Sequence, residues 1–166
     1  MSSSLATLNA LPSIVEFYAH YWNNRPFLVR DAIDQTVMDG LITPDELAGL
    51  SMEATARARM VAQENWACQY GPFTEEDFSA GGNVEQCHPD TATLLRAFNF
   101  APRWLMDDIM VSFSTKGGTI GGHIDSYHVF LVQGQGARRW TVGREPIFDE
   151  TYIDGLDLKI LKNPID

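Results

Sequence analysis

The residues with the most chemical content lie in one short stretch, Gly121-Gly122-His123-Ile124-Asp125. In an extended chain, residues two apart point to the same face, so His123 and Asp125 present an imidazole and a carboxylate side by side. These are two thirds of the His-His-carboxylate set that holds iron(II) and leaves adjacent coordination positions open for a chelating co-substrate and dioxygen. The tripeptide alone is weak evidence, because a chain of this composition contains His-x-Asp by chance about 0.3 times. A surface His and Asp at a strand end would read the same way.

The following segment adds context. Arg138, Trp140 and Val142 share one face of an extended run, while Ala137, Arg139 and Thr141 share the other. If Trp140 and Val142 face an interior, Arg138 does too, and a buried guanidinium needs an anionic partner to offset its desolvation. A dicarboxylate would supply that partner bidentately. The opposite face assignment, with Arg138 on an outer wall, fits the alternation equally well. Ser114, on the run before the glycines, could donate its hydroxyl to the same carboxylate, although most strand serines face solvent. Tyr127 and Tyr152 read as packing residues, and His128 falls on the face opposite His123 and Asp125. His20 reads as a helix-face residue. The order of Lys116-Gly117-Gly118-Thr119-Ile120-Gly121 is not that of a phosphate loop, and no GxSxG or HExxH motif occurs.

Positioning such groups requires a core, and 166 residues with 45% apolar content suffice for one without disulfides or a structural metal. The 22 acidic residues against 12 basic ones give a net charge of -10, which argues against a phosphate-gripping surface and hence against direct nucleic-acid binding. Cys68 and Cys87 form no CxxC pair and indicate reduced thiols. No signal-peptide pattern or membrane-length apolar run is present, so a cytoplasmic protein without a membrane partner is expected.

Local signals place the elements. Ser13 and Glu16 form a capping-box pattern ahead of a helix that Asn23-Asn24 and Pro26 stop before a strand at Phe27-Leu28-Val29. Thr43, Pro44 and Glu46 repeat the signal for a short helix burying Leu47 and Leu50. Met60-Val61 and Trp66 to Tyr70 read as strand pieces, Thr74 to Phe78 as one helical turn, and Ala80 to Asn83 as a loop. A helix follows Pro89 and ends near Asn99. From Asp108 onward the chain reads as antiparallel β, with strands at Asp108 to Ser114, Tyr127 to Gln133 and Arg138 to Val142. Gly134-Gln135-Gly136 reads as a hairpin turn, and the glycines before His123 as a loop passing close to another part of the fold.

The stretch from Gly122 to Trp140, GHIDSYHVFLVQGQGARRW, closely resembles the bacterial ribosomal oxygenases, JmjC-type members of the cupin superfamily. Trp22 to Arg30, Ser51-Met52-Glu53, Gly71-Pro72-Phe73 and Asp107 to Ser114 resemble them too, so the likeness covers most of the chain. It implies a mainly β fold with N-terminal helices, a double-stranded β-helix or jelly roll. Residues 1–106 would flank the barrel and residues 107–166 would form its first part. It further implies iron(II) and 2-oxoglutarate, with dioxygen hydroxylating a side chain, arginine in the bacterial branch, of a ribosomal protein. By position, His123 and Asp125 match the first two iron ligands, and Arg138 and Ser114 match residues holding the distal carboxylate of 2-oxoglutarate.

Two departures from the family pattern shape the expectation. The third iron ligand is missing, since the sole His after Asp125 is His128, and the chain reads as a shortened version of a longer protein with an incomplete barrel. The strand that family members carry ahead of the helix near His88 is replaced by Ser79 to Asn83. An incomplete barrel exposes strand edges, so self-association into a homo-oligomer is expected. A non-catalytic cupin-like module, binding metal or serving assembly, is the competing reading, and a small-molecule cupin enzyme is a third that the flanking motifs oppose.

Overall fold

The computed structural model describes residues 5–62, 65–79, 83–87, 89–107, 109–143, 151–156 and 159–163. They divide into two compact units. The first takes the chain through Leu41 together with Pro89–Ile109, and the second takes the rest, from Ile42 to the residues before Pro89 and from Met110 onward.

In the first unit, β1 (Ala6–Leu8) lies parallel to β2 (Phe27–Val29), with Ala6 opposite Phe27 and Leu8 opposite Val29. Between them Ser13 caps α1 (Ile14–Glu16): its hydroxyl accepts the Glu16 N–H at 3.3 Å, and its own N–H donates to the Glu16 carboxylate at 2.9 Å. This reciprocal pair satisfies two of the donors that every helix start leaves open. The helix then widens over Phe17–Tyr21, where the N–H of Trp22 reaches back five residues to the carbonyl of Phe17 at 2.9 Å. That turn carries Phe17 into a core with Leu94, Phe98, Phe100 and Ala101, and its ring centroid lies 5.0 Å from that of Phe100 in an edge-on contact. Each buried Phe or Leu among them contributes about 1.5–3 kcal/mol. Leu94 and Phe98 come from the Pro89–Phe98 helix, which is wound with three residues per turn. The α2 helix (Gln35–Asp39), capped by Asp34, is an element that the apolar pattern does not reveal.

The second unit is built on α3 (Pro44–Ser51) and an antiparallel sheet in the order β4-β3-β5-β6, from β3 (Ala58–Val61), β4 (Cys68–Tyr70), β5 (Asn83–Cys87) and β6 (Met110–Ser114). Thr43 caps α3 as the sequence predicts, with Pro44 in the first turn, and Leu47 is buried while Leu50 is half-buried. Ala58 and Met60 of β3 pack with Phe73, supported by Phe78 at α4 (Glu75–Ser79).

Three sequence expectations need correction. The strand ahead of the Pro89 helix is not lost: β5 fills that place between β3 and β6, with Val84 opposite Met60 on one side and Phe113 on the other. Its Asn-Val-Glu-Gln-Cys composition hides it, and pairing on both edges makes up for weak intrinsic preference. The strand read at Trp66 begins at Cys68, because Trp66 has φ +57 and turns the chain. The runs Tyr127 to Gln133 and Arg138 to Val142 join no sheet among the described residues, and Tyr127, Leu131 and Val142 are exposed. An extended run becomes a strand only beside a partner, and a lone hairpin is marginal in water. The expected loop at Ala80 to Asn83 lies outside the described residues up to residue 82, and Asn83 opens β5.

Candidate metal centre

From β6 the chain passes a turn in which the N–H of Gly118 donates to the carbonyl of Thr115 at 2.8 Å, and then reaches Gly121 at φ +77. A Cβ at Gly121 would lie 2.9 Å from Cγ2 of Ile160 and 3.3 Å from Cη2 and Cζ3 of Trp66. The glycine is therefore required twice, by its left-handed backbone and by the close approach. This is the tight passage the double glycine suggests in the sequence.

The segment beyond is fixed by backbone hydrogen bonds. The N–H of Leu161 donates to the carbonyl of Gly122 at 2.8 Å, and His123 bridges Ile160 in antiparallel fashion. Ile160 in turn accepts the N–H of Ile153 at 2.8 Å, and Lys162 donates to the carbonyl of Thr151 at 2.9 Å. Three short stretches thus lie side by side, with Ile160 and Leu161 buried.

On this support the imidazole of His123 is oriented. Its Nδ1 lies 3.1 Å from the carbonyl oxygen of Gly121, which can only accept, so the contact places a proton on Nδ1 and, in the neutral tautomer it selects, leaves Nε2 to ligate. Nε2 lies 3.8 Å from Oδ2 of Asp125, and the two side chains are 29% and 40% exposed, open to a solute. Two donors sharing a metal at their usual bond lengths, at right angles, lie about 3 Å apart. The pair needs to close by less than an ångström, and its donor chemistry, a neutral imidazole nitrogen with a carboxylate oxygen, suits iron(II). Among the described residues no third His, Cys, Asp or Glu joins them in a metal-holding group.

Arg138 is half-buried, with its guanidinium carbon 5.5 Å from the ring centroid of Trp140. That stacking follows from residues two apart sharing a face and contributes about 0.5–1 kcal/mol at an open site. Trp140 itself is 48% exposed. Ser114 is the half-buried last residue of β6, opposite Asn83. The geometry thus brings His123 and Asp125 together, while Arg138 and Ser114 make no hydrogen bond or ion pair with them among the described contacts. Trp66 and Ile160, which hold the loop before His123, escape the sequence reading, since nothing in their local pattern points at a residue so far along the chain. No helix among the described residues is long and apolar enough to cross a membrane.

Comparison with known proteins agrees with this chemistry. A family model for the JmjC domain matches residues 93–164. The ribosomal protein uL16 3-hydroxylase of Escherichia coli is 38% identical over 139 residues, covering 78% of this chain and 37% of that protein. A probable ribosomal oxygenase of Haemophilus influenzae is 37% identical over 139 residues, covering 77% of this chain and 34% of that protein. The structure of the Escherichia coli ribosomal oxygenase YcfD in complex with cobalt and 2-oxoglutarate superposes with a TM-score of 0.68 at 34% identity, covering 90% of this chain and 43% of that one. Residues 93–164 thus match a JmjC domain, and the chain is similar over about three quarters of its length to ribosomal oxygenases. It spans little more than a third of the length of the curated relatives it matches.

Proposed function

We propose that this chain is part of an iron(II)- and 2-oxoglutarate-dependent oxygenase that hydroxylates an arginine side chain of a ribosomal protein in the cytoplasm. The observation that carries the reading is the His123 and Asp125 pair, with Nδ1 of the imidazole tied to the backbone and Nε2 left to ligate beside the carboxylate. The relative whose name specifies uL16 and the neighbour holding cobalt and 2-oxoglutarate support the substrate class and the cofactor. In this reading residues 107–166 open a double-stranded β-helix, residues 1–106 flank it, and the third metal ligand lies outside the described residues. The acidic net charge of -10 complements a basic protein substrate.

When bound, iron(II) supplies the redox chemistry that couples decarboxylation of 2-oxoglutarate to succinate with hydroxylation by dioxygen. The protein's part is placement. His123 and Asp125 hold two positions of the metal and leave the others open. Arg138 pairs with the distal carboxylate of 2-oxoglutarate through two N–H donors, and the Ser114 hydroxyl donates to the same group. The Trp140 ring keeps the guanidinium in one orientation, so less freedom is lost when the diacid binds.

The test is to supply the chain with iron(II), 2-oxoglutarate, dioxygen and purified uL16, and to measure succinate and the mass of uL16. Formation of succinate with one added oxygen atom, abolished by His123→Ala, is the expected result. Metal binding without any oxygen transfer would instead favour a non-catalytic cupin-like module.

A further inference from the structure

We propose that Trp66 and Ile160 are positioning residues for the metal-binding imidazole, acting through the backbone of Gly121; the inference rests on the metal-site reading above. Both side chains press on the same point. The far edge of the Trp66 indole and Cγ2 of Ile160 meet the α-carbon of Gly121 so closely that a Cβ there would stand 3.3 Å and 2.9 Å from them. The carbonyl that receives the His123 Nδ1–H belongs to this same glycine. Pinning the Gly121 α-carbon sets the direction of its carbonyl, the carbonyl selects the imidazole tautomer, and the tautomer leaves Nε2 facing Asp125.

Two independent features of the support fit this role. Trp66 holds φ +57, a conformation that a bulky L-residue seldom adopts and that must be sustained by its surroundings. It is flanked by two hydrogen bonds: the Asn65 side chain accepts the Ala67 N–H at 3.0 Å, and the Ala67 carbonyl accepts the Ala62 N–H at 2.9 Å. Ile160 is 3% exposed and bridges His123 directly, so its side chain and its backbone act on the same loop from one place.

The test uses the nitrogen-15-labelled chain. At a pH where the nitrogen shifts themselves show a neutral ring, long-range proton–nitrogen correlation spectra report the His123 tautomer, and Mn(II) titration reports affinity through broadening of the His123 signals. In the unsubstituted chain Nδ1–H is expected to dominate. Trp66→Gly removes the ring while suiting the turn, and is expected to return His123 to a tautomer mixture and to weaken Mn(II) about tenfold or more. Trp66→Phe, which lacks Cη2 and Cζ3, is expected to shift both readouts in the same direction and serves if the glycine variant does not fold. Ile160→Ala, which removes Cγ2, is expected to shift both readouts in that direction too. Folded Trp66 variants with the original tautomer and Mn(II) affinity within about twofold would overturn the proposal. If Mn(II) fails to broaden His123 in the unsubstituted chain, the metal-site reading fails, and the tautomer still decides whether Trp66 orients the ring.

Discussion

A β-carbon on Gly121 would lie only 2.9 Å from Cγ2 of Ile160, closer than two carbons can pack. Because Gly121 also has φ +77, Gly121→Ala meets a steric and a backbone penalty at once. The expected outcome is a loss of about 2 kcal/mol of stability by urea denaturation. A variant as stable as the original would mean that the loop before His123 is not held as described.

Arg138 touches the Trp140 ring and makes no ion pair among the described residues. Arg138→Met should therefore change the thermal midpoint little while weakening 2-oxoglutarate binding at least about tenfold, the scale of a charge-assisted bidentate contact. Anaerobic calorimetric titration measures it. Arg138→Lys should recover only part of the affinity, since an ammonium cannot form the two parallel bonds.

At the start of α3, Thr43 receives the Glu46 N–H and its own N–H donates to the Glu46 carboxylate. Thr43→Ala removes the acceptor and is expected to cost about 1 kcal/mol. Thr43→Ser keeps it, and should restore most of the loss in the same denaturation experiment.

Three exposed carboxylates are held below their ordinary range by hydrogen bonds. Glu16 is lowered by the Ser13 hydroxyl and then its N–H, Asp34 by the Thr36 hydroxyl and then its N–H, and Asp77 by the Thr74 N–H and then its hydroxyl. A carboxyl with a lower folded than unfolded pKa adds stability above the unfolded value, and that stability is lost as pH falls through the folded value. With ordinary values of 4.5 for Glu and 3.8 for Asp, the contribution is complete at neutral pH and declines in acid below them. Acid titration followed by circular dichroism should show this decline, and Asp34→Asn should reduce its amplitude. An unchanged acid profile in Asp34→Asn would contradict the assignment.

Tyr127, Val129, Leu131, Trp140 and Val142 are exposed and belong to no sheet among the described residues, where β6 is paired on one edge. Exposed apolar side chains and unpaired strand edges favour association. Light scattering should show mass increasing with concentration, and a monodisperse monomer at high concentration would contradict this.

The parts of the fold legible in the sequence are those decided locally. Ser13 with Glu16, and Thr43 with Pro44 and Glu46, state their helix starts within four residues, and both form reciprocal caps. The pairing of His123 with Asp125 was equally readable, since the side-chain period of an extended chain is a local property. What could not be read depends on distant partners. β5 carries little β preference and is a strand because β3 and β6 flank it, whereas Tyr127 to Gln133 has abundant preference and no described neighbour. Trp66 reaches Gly121 only after the sheet has folded, and no spacing rule links residues so far apart.

The most direct test of the central claim is an anaerobic titration of the chain with iron(II) in the presence of 2-oxoglutarate, followed in the visible spectrum. A metal held by His123 and Asp125 and chelated by the keto acid should produce a weak charge-transfer band that His123→Ala and Asp125→Ala remove. No band at saturating iron, or a band that survives both substitutions, would place the metal elsewhere and contradict the assignment of these two side chains.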